Sequence, residues 1–247
     1  AVVAIGGGSA LDLGKAVAAL ATNLGVEGST AYTYLESVGQ GEPIAVNPLP
    51  LVAVPTTAGT GSEATKNAVL KCEEKKRKAS MRADSMLPAV AIVDPVLTRS
   101  CPPDVTARVG LDALCQNIEP FVSKMSNPIV DALSREGMAR SSRSLRRAFV
   151  DGSDLEARED LASASLLGGQ ALANAKLGAV HGFAGVIGGL FDAAPHGAVC
   201  AALLAPVFRA NVAKLRQQQQ DSYLGRFEEV AQILTGDDAA TPEDGAA

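Results

Sequence analysis

Histidine is scarce in this 247-residue chain: there are two, against 22 Lys plus Arg and 27 Asp plus Glu. Any imidazole chemistry falls to His181 and His196, and both lie in one stretch, "GAVHGFAGVIGGLFDAAPHG" (178–197), each followed directly by glycine. Positive charge in excess is missing too. A net charge of −5 and a pI near 5.1 argue against a nucleic-acid partner, which usually requires a basic face. No uninterrupted apolar run reaches the roughly 18 residues that span a bilayer, and no signal-peptide pattern opens the chain, so no membrane partner is expected. The four cysteines (Cys72, Cys101, Cys115, Cys200) form neither a CxxC pair nor a dense framework, so reduced thiols in a cytoplasmic setting are expected. An initiator methionine is also lacking. The chain opens inside the strand-like "AVVAIGGG" and stops in the polar "GDDAATPEDGAA", which reads as a fragment.

What is present is an ordinary globular balance, 47% hydrophobic and 20% charged, enough for one large or two moderate domains. Two grammars divide it near Ser100. Residues 1–100 hold compact apolar runs, "AVVAI", "LVAVP" and "AVAIVDP", bounded by Gly or Pro as in strands buried on both faces. "LDLGKAVAALATNLG" separates the first two with helical spacing, which makes a βαβ unit in a parallel sheet. Residues 101–247 read as all-helical, with Ala/Leu-rich stretches near 105–123, 127–149, 155–176, 197–214 and 221–235.

Two polar loops follow predicted strands. "IGGGSALDLGK" (5–15) places Gly7, Gly8 and Ser9 before a helix, where free N–H groups and the dipole suit a pyrophosphate. Ser9 with Asp12 resembles a capping box, and a plain capped turn without ligand is the alternative. The motif is not the GxGxxG fingerprint. "VPTTAGTGSEATKNAV" (54–69) presents Thr56, Thr57, Thr60 and Ser62 between glycines, able to meet phosphate or ribose or to form a surface turn. Ligands of open α/β sheets sit at the carboxyl ends of strands, where both loops belong.

The helical pattern of "VGLDALCQNIEPFVS" (109–123) puts Asp112 and Gln116 on one face, four residues apart. An acid and an amide on a largely apolar helix need a partner. The two imidazoles with that carboxylate make a good set for a divalent transition metal, an amide oxygen being a weaker fourth donor; hydrogen-bonded structural histidines are the alternative.

Taken in order, "GGGSALDLGK", "PTTAGTGSEATKNAV", "MLPAVAIVDPVLT", "GLDALCQNIEPFVS" and "AVHGFAGVIGGLFDAAPHGAVCAALLAPV" resemble the iron-containing alcohol dehydrogenase family, which shares the dehydroquinate synthase-like fold. The resemblance extends over nearly the whole chain. It implies an α/β dinucleotide-binding domain (1–100) whose first strands precede residue 1, and a helical metal-binding and catalytic domain (101–247) lacking its C-terminal end. Gly7, Gly8, Ser9 and Asp12 would contact NAD or NADP around its pyrophosphate. Thr56, Thr57 and Thr60 would line the phosphate and nicotinamide end, and Lys78 would approach the cofactor, a solvated strand end being its alternative. Asp112, Gln116, His181 and His196 match the four ligands of a divalent metal, Fe2+ or Zn2+; Asp112, His181 and His196 are the residues expected to serve catalysis.

This chain departs from the family twice. Gln116 stands where histidine is usual, and Gly185 where many members carry a further histidine near the substrate. The implied activity is NAD(P)-dependent interconversion of a small alcohol with its aldehyde or ketone, in a homodimer. Gln116 keeps open a metal-independent enzyme resembling maleylacetate reductases, and the missing strands keep open a non-catalytic nucleotide-binding remnant.

Overall fold

The computed structural model describes residues 1–25 and 29–246. β1 (Val2–Gly6) and β2 (Leu51–Pro55) pair in parallel, with Gly6 beside Pro55. Between them in the chain come α1 (Gly8–Asn23) and a single-turn helix, α2 (Ala31–Tyr34). α1 is the crossover and lies on one sheet face, where Leu11 packs with Ala4, Leu51 and Ala53. The other face of β1 is open: Val3 and Ile5 are 62% and 63% exposed. Only β2 has the two-sided burial that its apolar run predicts, because α1 covers a single face of β1.

A charge-dense segment hides an antiparallel hairpin that the sequence pattern does not announce. β3 (Asn67–Cys72) and β4 (Arg77–Arg82) are joined through "EEKK", with Lys76 at φ +48. Ala68, Ala79 and Met81 point inward from the hairpin and pack with Ala16, Ala19, Tyr34, Leu35 and Met86. The third predicted strand, "AVAIVDP", shrinks to β5 (Val90–Ala91), paired with β2 to give the sheet order β1-β2-β5.

Beyond it, among the described residues, all regular structure is helical. α3 (Pro103–Phe121) begins with proline in its first turn, where a missing N–H costs nothing. α4 (Pro128–Val150) starts at Asn127, whose side chain accepts from the Ile129 and Val130 N–H groups. α5 (Leu155–Ala175) is capped by Asp154 through Ala157 N–H. α6 (Ala179–Leu190), α7 (His196–Gln217) and α8 (Asp221–Thr235) follow, the last ended by Gly236 in the left-handed region at φ +72. α3 is the central helix. Its Ile118 and Phe121 meet Met138 of α4, Phe208 of α7 and Phe227 and Val230 of α8. By length and mean hydropathy α7 could cross a bilayer, yet it carries His196 and packs against α3 and α6.

The loop after β2 joins the two parts. Gly61, at φ +58, lies against α5 so closely that a Cβ on it would sit 2.5 Å from Gly169 Cα, and its N–H donates to Ser165 Oγ at 3.3 Å. A Cβ on Gly169 would in turn stand 2.4 Å from Gly61 O, so neither glycine accepts a side chain without backbone movement. Gly169→Ala should cost about 1–3 kcal/mol by overpacking, read as a lower denaturation midpoint of the full-length protein. An unchanged midpoint would show that the loop–α5 contact is not tight.

Candidate functional site

The two polar loops meet at the carboxyl ends of β1 and β2. Thr56 N–H donates to Gly6 O at 2.9 Å. A Cβ on Gly7 would touch Thr57 Oγ1 at 3.3 Å, and one on Gly8 would strike Thr60 at 2.5 Å. The predicted Ser9–Asp12 capping box does not form. Gly7 is the N-cap with no side-chain bond, Ser9 lies inside α1, and Asp12 turns across to the second loop. There its Oδ1 accepts from Ser62 Oγ at 2.5 Å and its Oδ2 from Val69 N–H at 3.1 Å. The start of α1 therefore keeps its dipole and uncapped N–H groups, the features that suit a phosphate, whereas Asp12 is engaged with protein.

Lys15, in the first motif, has a fully buried side chain. Its ammonium donates to Asn67 O (2.6 Å), Ser62 O (2.9 Å) and Thr65 Oγ1 (3.1 Å), with Asp12 3.2 Å away. Burial lowers its pKa, and the Asp12 charge works against that shift. Lys15 and Asp12 thus clamp the second loop and β3 onto α1. Sequence pattern misses this role because a lysine two turns into the helix that follows a glycine turn looks like solvated helix surface.

The second cluster forms where α3, α6 and α7 converge. His181 Nε2 is 3.1 Å from Asp112 Oδ1, and His196 Nε2 is 3.8 Å from the same oxygen. The rings lie 5.5 Å apart, centroid to centroid. Asp112 is only 2% exposed. With Cys200, one turn after His196 on α7, these residues bring four donor atoms within 4.8 Å of one another.

Behind them stands Glu119, absent from the sequence-based set. Its Oε2 accepts from His181 Nδ1 at 2.6 Å, and its Oε1 from Val180 N–H at 2.8 Å. One carboxylate thus both caps the start of α6 and fixes the imidazole so that Nε2 faces Asp112. Gly178 makes room for it, since a Cβ there would lie 2.7 Å from Glu119 Oε1. The clue was available: Asp112, Gln116 and Glu119 follow i, i+4, i+7 spacing on one helix.

Gln116, also buried, donates through Nε2 to Gly59 O at 3.1 Å and so ties α3 to the threonine loop. Its Oε1 has no partner among the described residues, nor has His196 Nδ1. A buried unpaired acceptor costs about 1–3 kcal/mol unless something binds it. Lys78, on β4, reaches α6: a Cβ on Gly188 would lie 3.0 Å from its Nζ. Gly185 faces open space, so no side chain occupies the position of the family's further histidine.

The electrostatics separate the two imidazoles. Burial disfavours the charged form of His181 and is the largest single influence. Hydrogen bonds with Asp112, Cys200 and Glu119 together overcome it and raise the pKa to about 11. His196 goes down, chiefly by burial and further through the nearby His181 and Lys78 charges, with Asp112 opposing. One member of the pair therefore favours a positive charge and the other stays neutral. Neutral imidazole and carboxylate are the donor types a transition metal takes, and Gln116, whose Oε1 is unpaired, lies one helical turn from Asp112.

Residues 1–95 match the family described as iron-containing alcohol dehydrogenase, and residues 106–247 match the C-terminal region of the Fe-containing alcohol dehydrogenase family. Alcohol dehydrogenase 4 of Saccharomyces cerevisiae is 46% identical over 85% of this chain and 53% of its own length. 1,3-Propanediol dehydrogenase of Klebsiella pneumoniae is 43% identical over 85% and 52%. Among solved structures, 1,3-propanediol oxidoreductase superposes with a TM-score of 0.84 at 39% identity, covering 99% of this chain and 60% of that one. Sulfoacetaldehyde reductase from Bifidobacterium kashiwanohense, in complex with NAD+, gives 0.85 at 34% identity over 99% and 60%. The chain spans about half the length of the curated relatives it matches. Its α/β part with a parallel sheet, its helical part and the order of its motifs are those of this group, and the chain belongs to the iron-containing alcohol dehydrogenase family.

Proposed function

We propose that this chain forms the nucleotide- and metal-holding part of an NAD(P)-dependent alcohol dehydrogenase that interconverts a small alcohol with its aldehyde or ketone. The observation that carries the reading is the convergence of Asp112, His181 and His196 from three helices on one buried point. Asp112, His181 and His196 would hold the divalent metal, Fe2+ or Zn2+, and Gln116 Oε1 would close its shell or hold a water. The metal would supply Lewis acidity toward the substrate oxygen, and the nicotinamide, of NAD or NADP, would accept or return hydride.

The chain's own residues then have separable tasks. Gly7, Gly8 and Ser9 offer the start of α1 to the pyrophosphate, while Thr56, Thr57 and Thr60 line the adjoining loop. Asp12 and Lys15 brace that loop from within, and Lys78 brings positive charge from β4 toward the cofactor and His196. Glu119 holds the His181 tautomer, as carboxylate partners of metal-binding histidines do. Gly185 leaves the substrate side without an imidazole, so the proton travels by water or a ribose hydroxyl. A cytoplasmic homodimer is the setting that the family resemblance implies.

A second reading, metal-independent reduction, draws on Gln116. An amide already bonded to Gly59 O is a poorer ligand than imidazole, and a charged His181 could serve as an acid. The full-length protein, assayed with small alcohols and carbonyls and either nicotinamide cofactor, separates the two. Chelation should abolish turnover, and Fe2+ or Zn2+ should restore it; undiminished activity in metal-free protein favours the second reading. His181→Ala and His196→Ala should each lower metal content and activity together. Glu119→Gln should weaken metal affinity by about 10–100-fold, measured by competition with a chromophoric chelator. Unaltered affinity in that variant would remove Glu119 from the site.

A further inference from the structure

The fourth donor in the cluster is a sulfur, which neither the motifs nor the resemblance assigns. Cys200 follows His196 by one turn of α7, so both side chains leave the same helix face. Its Sγ is 3.7 Å from His196 Nε2, and donor atoms of His181 and Asp112 lie within 4.8 Å of it. The separations among these donors, 3.1, 3.7 and 3.8 Å where measured pairwise and at most 4.8 Å overall, sit close to a tetrahedral shell. Ligand bonds of about 2.0–2.3 Å place tetrahedral donors about 3.3–3.8 Å apart. Cys200 is fully buried, so no solvent-facing role competes. Cys115, the nearby thiol, is turned instead to the Cys200 carbonyl at 3.8 Å. Gln116, where the family resemblance places the fourth ligand, has its Nε2 committed to Gly59 O.

We propose that Cys200 supplies a thiolate ligand to the metal held by Asp112, His181 and His196, leaving Gln116 to anchor the threonine loop and hold a water through Oε1. The assignment rests on the metal-dependent reading of the function. On ligation the Sγ–H bond breaks, its proton passes to solvent, and the sulfur lone pair makes the new bond; nothing is oxidised or reduced. A set of two imidazoles, one carboxylate and one thiolate is softer than an imidazole–carboxylate set and shifts preference toward Zn2+.

Cobalt(II) substitution of the full-length protein tests this. One cobalt per chain should bring an intense thiolate-to-cobalt charge-transfer absorption in the near ultraviolet. The band should survive in Cys115→Ser and Gln116→Ala and vanish in Cys200→Ser. Cys200→Ser should also weaken Zn2+ binding by more than about tenfold, the least that loss of even an outer partner brings. Stoichiometric cobalt without the band, or a band that persists in Cys200→Ser, overturns the assignment and leaves the metal reading standing. Protein that binds no cobalt removes both. The wild-type spectrum decides the matter even where Cys200→Ser does not fold.

Discussion

The constraint on which the helical half depends is the burial of two carboxyl groups on one apolar helix. Asp112 and Glu119 are 2% and 5% exposed in α3, itself the centre of the helical packing. Carboxylates in such a place need partners, because unpaired buried charge costs several kcal/mol. α3 supplies none of them. They come from α6 and α7, and so those helices must pack where His181 and His196 can reach Asp112. Glu119 sets the entry of α6 by accepting its first free N–H groups, and the same carboxylate orients His181. Fold and site are thus determined by one set of contacts.

That helical centre is linked to the nucleotide loops by short-range contacts. Gln116, one turn from Asp112, donates to Gly59 O; two residues on, Gly61 abuts Gly169 of α5. Gly8 and Thr60 are in contact across the two loops, and Lys15 with Asp12 fixes the far side of the threonine loop to α1. Close-packed interiors transmit small displacements, so a shift at Gln116 would be felt at Thr57 and Thr60. The departure from the family at position 116 therefore bears on both loop and cluster.

Much of this was legible in the sequence, for identifiable reasons. The βαβ unit, five helical stretches and the meeting of Asp112, His181 and His196 follow from Gly and Pro punctuation, apolar periodicity and the scarcity of histidine. The hairpin was hidden because two of its inward residues, Ala68 and Ala79, are small and only Met81 joins them from β4 as a large one, while lysines and arginines dominate its ends. Ser9 and Asp12 have the spacing of a cap, but Gly7 starts the helix and Asp12 finds better donors in Ser62 and Val69. The groups that Lys15 and Glu119 hold stayed invisible because they lie 47 to 62 residues away, and the place of Cys200 because, beyond His196 on its own helix, Asp112 and His181 lie on two others. Local pattern carries no such information.

Formal charge explains why this pocket would draw a cation. Asp112 and Glu119 bring two negative charges, and a protonated His181 returns only one. His196 is pushed toward the neutral form by burial and by the adjacent His181 and Lys78 charges, against the pull of Asp112. A buried pocket with a residual negative charge and a neutral imidazole aimed at it is poorly balanced by protons alone. A divalent ion in exchange for the proton on His181 Nε2 brings the balance to zero, with Nδ1–H still donating to Glu119.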